Sequence, residues 1–240
     1  MKWVLTPDEF THVWANETGL ERRPYPINLV QANTVRTEND YTALRLPQRF
    51  GKHADPELTA ALTLCTRRDA TALTVSGVRA PRAPHTEQDE RTLAFAAAID
   101  NHAAILIATP DFVTVLMVHT RALGEHLVAI IGSAPAGRLA PMREPQEAVL
   151  GPDRAPAPVA DPPAGADHFR HTLCQPVDGR GFITVTVDPD NPVSPATRHR
   201  TWLDFTGDGR YLLTTAQEMA LTPISDTDFA AELLRLAHIR

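Results

Sequence analysis

Cysteine is scarce in this 240-residue chain, which has two, and aromatic side chains make up only 6% of it. Two thiols cannot build the bridge framework that holds small secreted domains together, so the fold must rest on a packed core. Cys65 and Cys174 each fall in a helix-like apolar pattern, which predicts buried structural thiols. Long apolar runs are lacking too, and none approaches the roughly 18 residues that cross a bilayer. The opening Met1-Lys-Trp-Val-Leu-Thr-Pro7 has no apolar centre of a secretory leader and predicts a strand entering a capped helix. Positive charge is not in excess, since the net charge is −6. A nucleic-acid or anionic-membrane surface needs clustered cations, so neither partner is expected. These absences predict a cytosolic protein.

Sequence motifs of catalysis are missing as well. Gly207-Asp-Gly209 and Gly179-Arg-Gly181 read as turns, without the following Lys-Ser/Thr of a phosphate loop or a dinucleotide-binding context. No Gly-x-Ser-x-Gly elbow is present. His168 and His171 are three apart and share a helix face, but Asp167, Cys174 and Asp178 stand at no recognised ligand spacing to them. The paired carboxylates Asp188/Asp190 and Asp204/Asp208 lie beside Pro, Gly or Asn and read as solvated turns. The expectation is no catalytic residue, no metal site and no cofactor.

Secondary-structure signals are plentiful. Thr6-Pro7-Asp-Glu9 opens a helix: Thr6 caps, Pro7 suits the first turn and Glu9 reaches back. Phe10, Val13 and Trp14 line one face of it, and Gly19 stops it. Ile27 to Thr37 alternates as a strand would. Asp55-Pro56 opens a second helix, with Leu58, Leu62 and Cys65 along one stripe. Strands are expected at 71–78, 91–99, 103–108 and 112–120, then a helix at 122–131. After a helical stretch from His168 to Cys174 come strands at 181–188, 199–206, 210–215 and 217–223, and a helix at 226–238. Asp208-Gly209 between two apolar runs is a strong hairpin signal. Matching elements recur about 104–109 residues apart, as with Phe95 and Trp202 or Leu127 and Leu233, which suggests an internal duplication. The expected class is α+β, with two helix–antiparallel sheet–helix halves in quasi-two-fold array about a central sheet.

The halves are expected at 1–132 and 167–240 of a single domain, joined by 133–166. That connector holds eight prolines in thirty-four positions, so it should be largely irregular and mobile. Glu147-Ala-Val-Leu150 suits a short helical turn within it. The expected core includes Trp14, Leu62, Ile105, Ile107, Val185, Leu203, Leu212 and Leu233.

Trp3-Val-Leu-Thr-Pro-Asp-Glu-Phe-Thr-His-Val-Trp14, Pro24-Tyr-Pro26, Leu62-Thr-Leu-Cys-Thr-Arg-Arg-Asp69, Thr201-Trp-Leu-Asp-Phe205, Gly207-Asp-Gly-Arg-Tyr211 and Leu221-Thr-Pro223, in that order, resemble the EspG family. Those are chaperones of type VII (ESX) secretion in actinobacteria. The resemblance covers nearly the whole chain and lapses in the Pro-rich segment. It implies a cytosolic, non-enzymatic chaperone that binds the tip of an elongated helical substrate, the PPE-like member of a PE–PPE heterodimer. It also implies a grip by the central sheet and the C-terminal helical part. Phe112 to Val118 is apolar on both faces, so this strand is either fully buried or covered by a partner. Alternation sets Ile183, Val185 and Val187 apart from Phe182, Thr184 and Thr186. The expected contact residues are Met117, Phe182, Thr184 and Thr186, with Arg198 and Arg200 at the rim. The sequence leaves homodimerisation open. A different class, an α+β module enclosing an apolar small molecule or acting as a regulatory interaction domain, also fits a chain without a reaction centre.

Overall fold

The computed structural model describes residues 1–30, 37–81, 89–151 and 164–239. β1 (Lys2–Leu5) leads into α1 (Pro7–Thr18), whose start is the expected capping box: Thr6 accepts from the Glu9 amide and Glu9 accepts from the Thr6 amide. Gly19 ends α1 in the left-handed conformation, at φ 69°. α2 (Glu38–Leu44), α3 (Leu46–Arg49) and α4 (Pro56–Leu64) follow, the last capped by Asp55. Then come β2 (Thr71–Arg79), β3 (Glu90–Ile99), β4 (His102–Ala108), β5 (Val113–His119) and α5 (Leu123–Ile131). The second run has β6 (Met142–Pro145), α6 (Gln146–Leu150), α7 (Ala164–Leu173), β7 (Val177–Thr186), β8 (Arg198–Phe205), β9 (Gly209–Thr215), β10 (Glu218–Pro223) and α8 (Asp226–Leu236).

All ten strands form one antiparallel sheet in the order β1-β5-β4-β3-β2-β7-β8-β9-β10-β6. The order has the same form from either end, so this α+β fold is quasi-two-fold about the β2–β7 ladder. That ladder pairs Val75 with Ile183 and Gly77 with Gly181. A Cβ on Gly77 or Gly181 would lie 2.5 Å or 2.1 Å from the Trp202 ring, so only glycine leaves room for the indole across the central pair.

Strand alternation sends Leu73, Val75, Ile183, Val185, Trp202 and Leu212 to one face, where α5 and α8 cover them. On the other face, two separate helical layers stand over the two flanks. α1 and α4 pack on β3, β4 and β5 through Phe10, Trp14, Leu62, Phe95 and Leu106. α6 and α7 pack on β9 and β10 through Val149, Phe169, Tyr211 and Leu221.

Several expectations change. Ile27 to Thr37 is not a strand as far as it is described: Ile27–Leu29 is a 3-10 turn, and 31–36 lie outside the described residues. Ile27 and Val30 are spaced for a turn, and both bury against the α1–α4 layer. Gly179 and Gly181 lie within β7, not in a turn. Of the expected core, Ile107 and Leu203 are half-buried and the other six residues are buried. Cys65 is buried, and burial pushes its thiol pKa up, but Cys174 stands just past the end of α7 and is exposed.

The Pro-rich segment, of which 152–163 lie outside the described residues, is more regular than its composition suggests. It supplies β6, an edge strand paired with β10, and α6 forms at the expected place. Proline is tolerated because β6 is an edge and Pro145 stands at its end. Residues 133–139 are tied to the β8–β9 hairpin. Asp208 accepts from the Arg138 amide at 3.0 Å and from its guanidinium, and Leu139 donates to the Tyr211 hydroxyl at 2.8 Å.

Candidate partner-binding surface

Between the two helical layers, the middle of the back of β2, β7 and β8 carries no helix among the described residues, while Ala72 packs with the α1–α4 layer and Val177 and Leu203 with the α6–α7 layer. Its register rows are Ser76–Phe182–Thr201 and Thr74–Thr184–His199. Phe182 is 68% exposed, while its neighbours Ile183 and Val185 are 0% and 1% exposed on the opposite face. Thr184 and His199 hydrogen-bond at 3.1 Å, and Thr186 and Thr197 at 3.2 Å. The result is a trench with a hydroxyl-rich floor and one aromatic ring standing in it. An exposed Phe forgoes the roughly 1.5–3 kcal/mol that burying such a side chain supplies. Packing therefore does not account for it here.

The six expected contact residues divide into three groups. Phe182, Thr184 and Thr186 share the trench. Met117 faces the same side, in the row of Thr186, but β2, β3 and β4 separate the two, and Met117 is half-buried against the α1–α4 layer. Arg198 and Arg200 lie on the opposite face. Arg198 Nη1 donates to the Leu236 carbonyl at 3.1 Å, and Arg200 pairs with Glu232 of α8 at 3.3 Å. A period of two sorts residues into two faces but does not say which face the helices cover, and so Arg198 and Arg200 do not border the face of Phe182. β5 is apolar on both faces as read: Val113 and Val115 are buried beneath the α1–α4 layer, and Leu116 and Val118 are half-buried on the α5 side.

The Gly207-Asp-Gly-Arg-Tyr211 hairpin carries a buried network beyond its turn signal. Arg210 is fully buried, and its guanidinium meets Asp204 in a bidentate pair at 2.7 and 2.9 Å. It also reaches Asp226 at the start of α8 at 3.1 Å and the Gly132 carbonyl at the end of α5 at 2.7 Å. The Phe229 ring lies 5.5 Å beneath it. Arg79 of β2 adds a longer contact to Asp204, at 3.4 Å. Asp204 is therefore not the solvated turn residue expected, but a buried counter-ion. The signal was present: Arg210 stands two before Leu212 and so faces the core, where a charge must find carboxylates. Gly207 takes the left-handed position at φ 72°. Gly209 is required for space, since a Cβ there would lie 2.7 Å from the Pro135 and Ala136 carbonyl oxygens. The Tyr211 hydroxyl donates to Asp208 and, with Arg138, holds that carboxyl below its usual range. Burial raises the Tyr211 phenol, and the Asp208 carboxylate raises it further.

Among the described residues, no group of three His, Cys, Asp or Glu side chains stands close enough to hold a metal, and no helix is long and apolar enough to cross a membrane. His168 and His171 are both exposed on α7. A sequence model of the EspG family matches residues 6–235, nearly the whole chain. No curated protein matches it.

Proposed function

Since the chain belongs to the EspG family of ESX secretion-associated chaperones, we propose that it is a cytoplasmic, non-enzymatic holdase whose trench grips the tip of a helical PPE-like substrate in a PE–PPE heterodimer. The observation that carries this reading is Phe182, standing exposed between two helical layers on a floor of hydroxyls. The tip of a helical hairpin presents apolar side chains together with backbone N–H and C=O groups that no helix satisfies. Threonine and serine hydroxyls both donate and accept, so Thr74, Ser76, Thr184, Thr186 and Thr201 can serve either kind of orphan group. Phe182 supplies the apolar anchor at the centre, where such residues contribute most. The two half-units, 1–132 and 167–240 with the 133–166 segment joining them, act as the two walls of one clamp. Binding of this kind is stoichiometric and uses no nucleotide.

The test is Phe182→Asp, with melting of the variant alone and co-purification with a PE–PPE heterodimer. A charge on an exposed face costs little until a partner desolvates it. The expected result is an unchanged melting temperature and loss of the complex. A variant that folds and still binds refutes the trench as the site.

A further inference from the structure

We propose that the end of α8, on the sheet face opposite Phe182, is a second docking surface that takes an acidic peptide segment of a protein partner. Arg198, Arg235, His238 and Ile239 line a shallow depression there, beside Arg200. Among the described residues, Glu232 is the one carboxylate paired with these guanidinium groups. It accepts from Arg200 at 3.3 Å and from Arg235 at 2.6 and 2.8 Å. Arg198 donates to the Leu236 carbonyl, where the α8 dipole supplies roughly half a negative charge. Among the described residues, three guanidinium groups thus face one carboxylate and a fraction of another, in a chain whose net charge is −6.

The cations are held ready. Glu232 is 20% exposed and fixes Arg235, whose side chain remains 63% exposed. A guanidinium already oriented loses less rotamer freedom on binding, and its planar fork suits a carboxylate. Ile239 adds an apolar wall and packs at the edge of the main core. The partner's chemistry follows from the extent of the patch. Nucleic acids and anionic bilayers engage many cations over a wide area, and a net negative chain repels them elsewhere. A few side chains and one apolar wall match a short stretch of Asp or Glu interleaved with aliphatic residues.

The experiment is fluorescence anisotropy on the full chain with a labelled short peptide of alternating Glu and Leu. The comparison probes are its Gln-for-Glu analogue, an oligonucleotide and vesicles of anionic phospholipid. The Glu peptide should bind, and weaken as salt screens the contact. Arg235→Glu should lower its affinity about tenfold or more, and Arg235→Lys should retain most of it. Phe182→Asp should leave it unchanged, which separates this surface from the trench. If Arg235→Glu melts lower than the parent, Arg235→Gln carries the same comparison. Equal binding of the Gln analogue, tighter binding of the oligonucleotide or vesicles, an unaffected Arg235→Glu, or no binding of the Glu peptide overturns the proposal.

Discussion

Ala98 pairs with Ala103 across the β3–β4 hairpin, and Asp204 pairs with Arg210 across the β8–β9 hairpin. Both pairs stand next to the turn, both face the α5–α8 layer, and each belongs to one half of the quasi-two-fold sheet. One half fills the space with methyl groups. The other fills it with a buried ion pair that reaches into both helices through Gly132 and Asp226. The same topology thus accepts an apolar and an ionic solution, and the two differ in how they fail. Small apolar packing resists added volume. A buried charge network resists the loss of any one partner, because desolvated carboxylates are left behind.

The largest effect expected is from Arg210→Ala, which leaves Asp204 with the longer contact to Arg79 and should cost about 3–5 kcal/mol in urea unfolding. Replacing both partners, as in Asp204→Leu with Arg210→Met, should recover most of that loss. If the single variant costs less than about 1 kcal/mol, the network is not a determinant of stability. Next, Ala103→Val tests the apolar counterpart, and overpacking should cost about 1–3 kcal/mol. A neutral outcome there means that the alanine pair is loosely packed.

A smaller effect concerns acid. Asp208 titrates below its usual range, held there first by the Tyr211 hydroxyl and then by Arg138. The unfolded chain takes up the proton more readily than the folded one. Its contribution is therefore present above the ordinary carboxylate pKa and lost as pH falls through the lower folded value. Melting followed below about pH 4 should fall less steeply in Asp208→Asn than in the parent. A parallel fall means that the hairpin tie does not titrate. The smallest effect leaves stability alone and separates Cys65, buried at the end of α4, from Cys174, exposed just after α7. A thiol reagent should modify one cysteine per folded chain, and both in denaturant.

Most of the fold was legible because its signals are local. Caps at Thr6 and Asp55 set helix starts, and period-two alternation marked the long strands. β6 was not legible, since the three residues between Pro141 and Pro145 are too few for an alternation that outweighs their composition. The turn at Ile27–Leu29 was misread because three-residue spacing over so short a run also passes for alternation. Of the candidate surface, the shared face of Phe182, Thr184 and Thr186 was legible from alternation. That Arg198 and Arg200 face α8 was not legible, because the side on which α8 docks is decided by packing far along the chain. The fate of Cys174 was hidden for the same reason: both cysteines sit in similar local patterns, and only the tertiary setting separates them.

The β2–β7 ladder has a consequence on the ribosome. Residues through α5 supply a complete five-stranded half-sheet, but β2 keeps one unpaired edge until β7 is made, roughly 50 residues later. At ordinary synthesis rates of about 5–20 residues per second, that edge stands open for about 3–10 seconds. An open strand edge is a template for pairing with another nascent chain. Val75 and Leu73 lie along it, and Gly77 weakens its affinity for a chance partner. The joint that unites the finished halves is also where neighbouring nascent chains are most exposed to exchanging them.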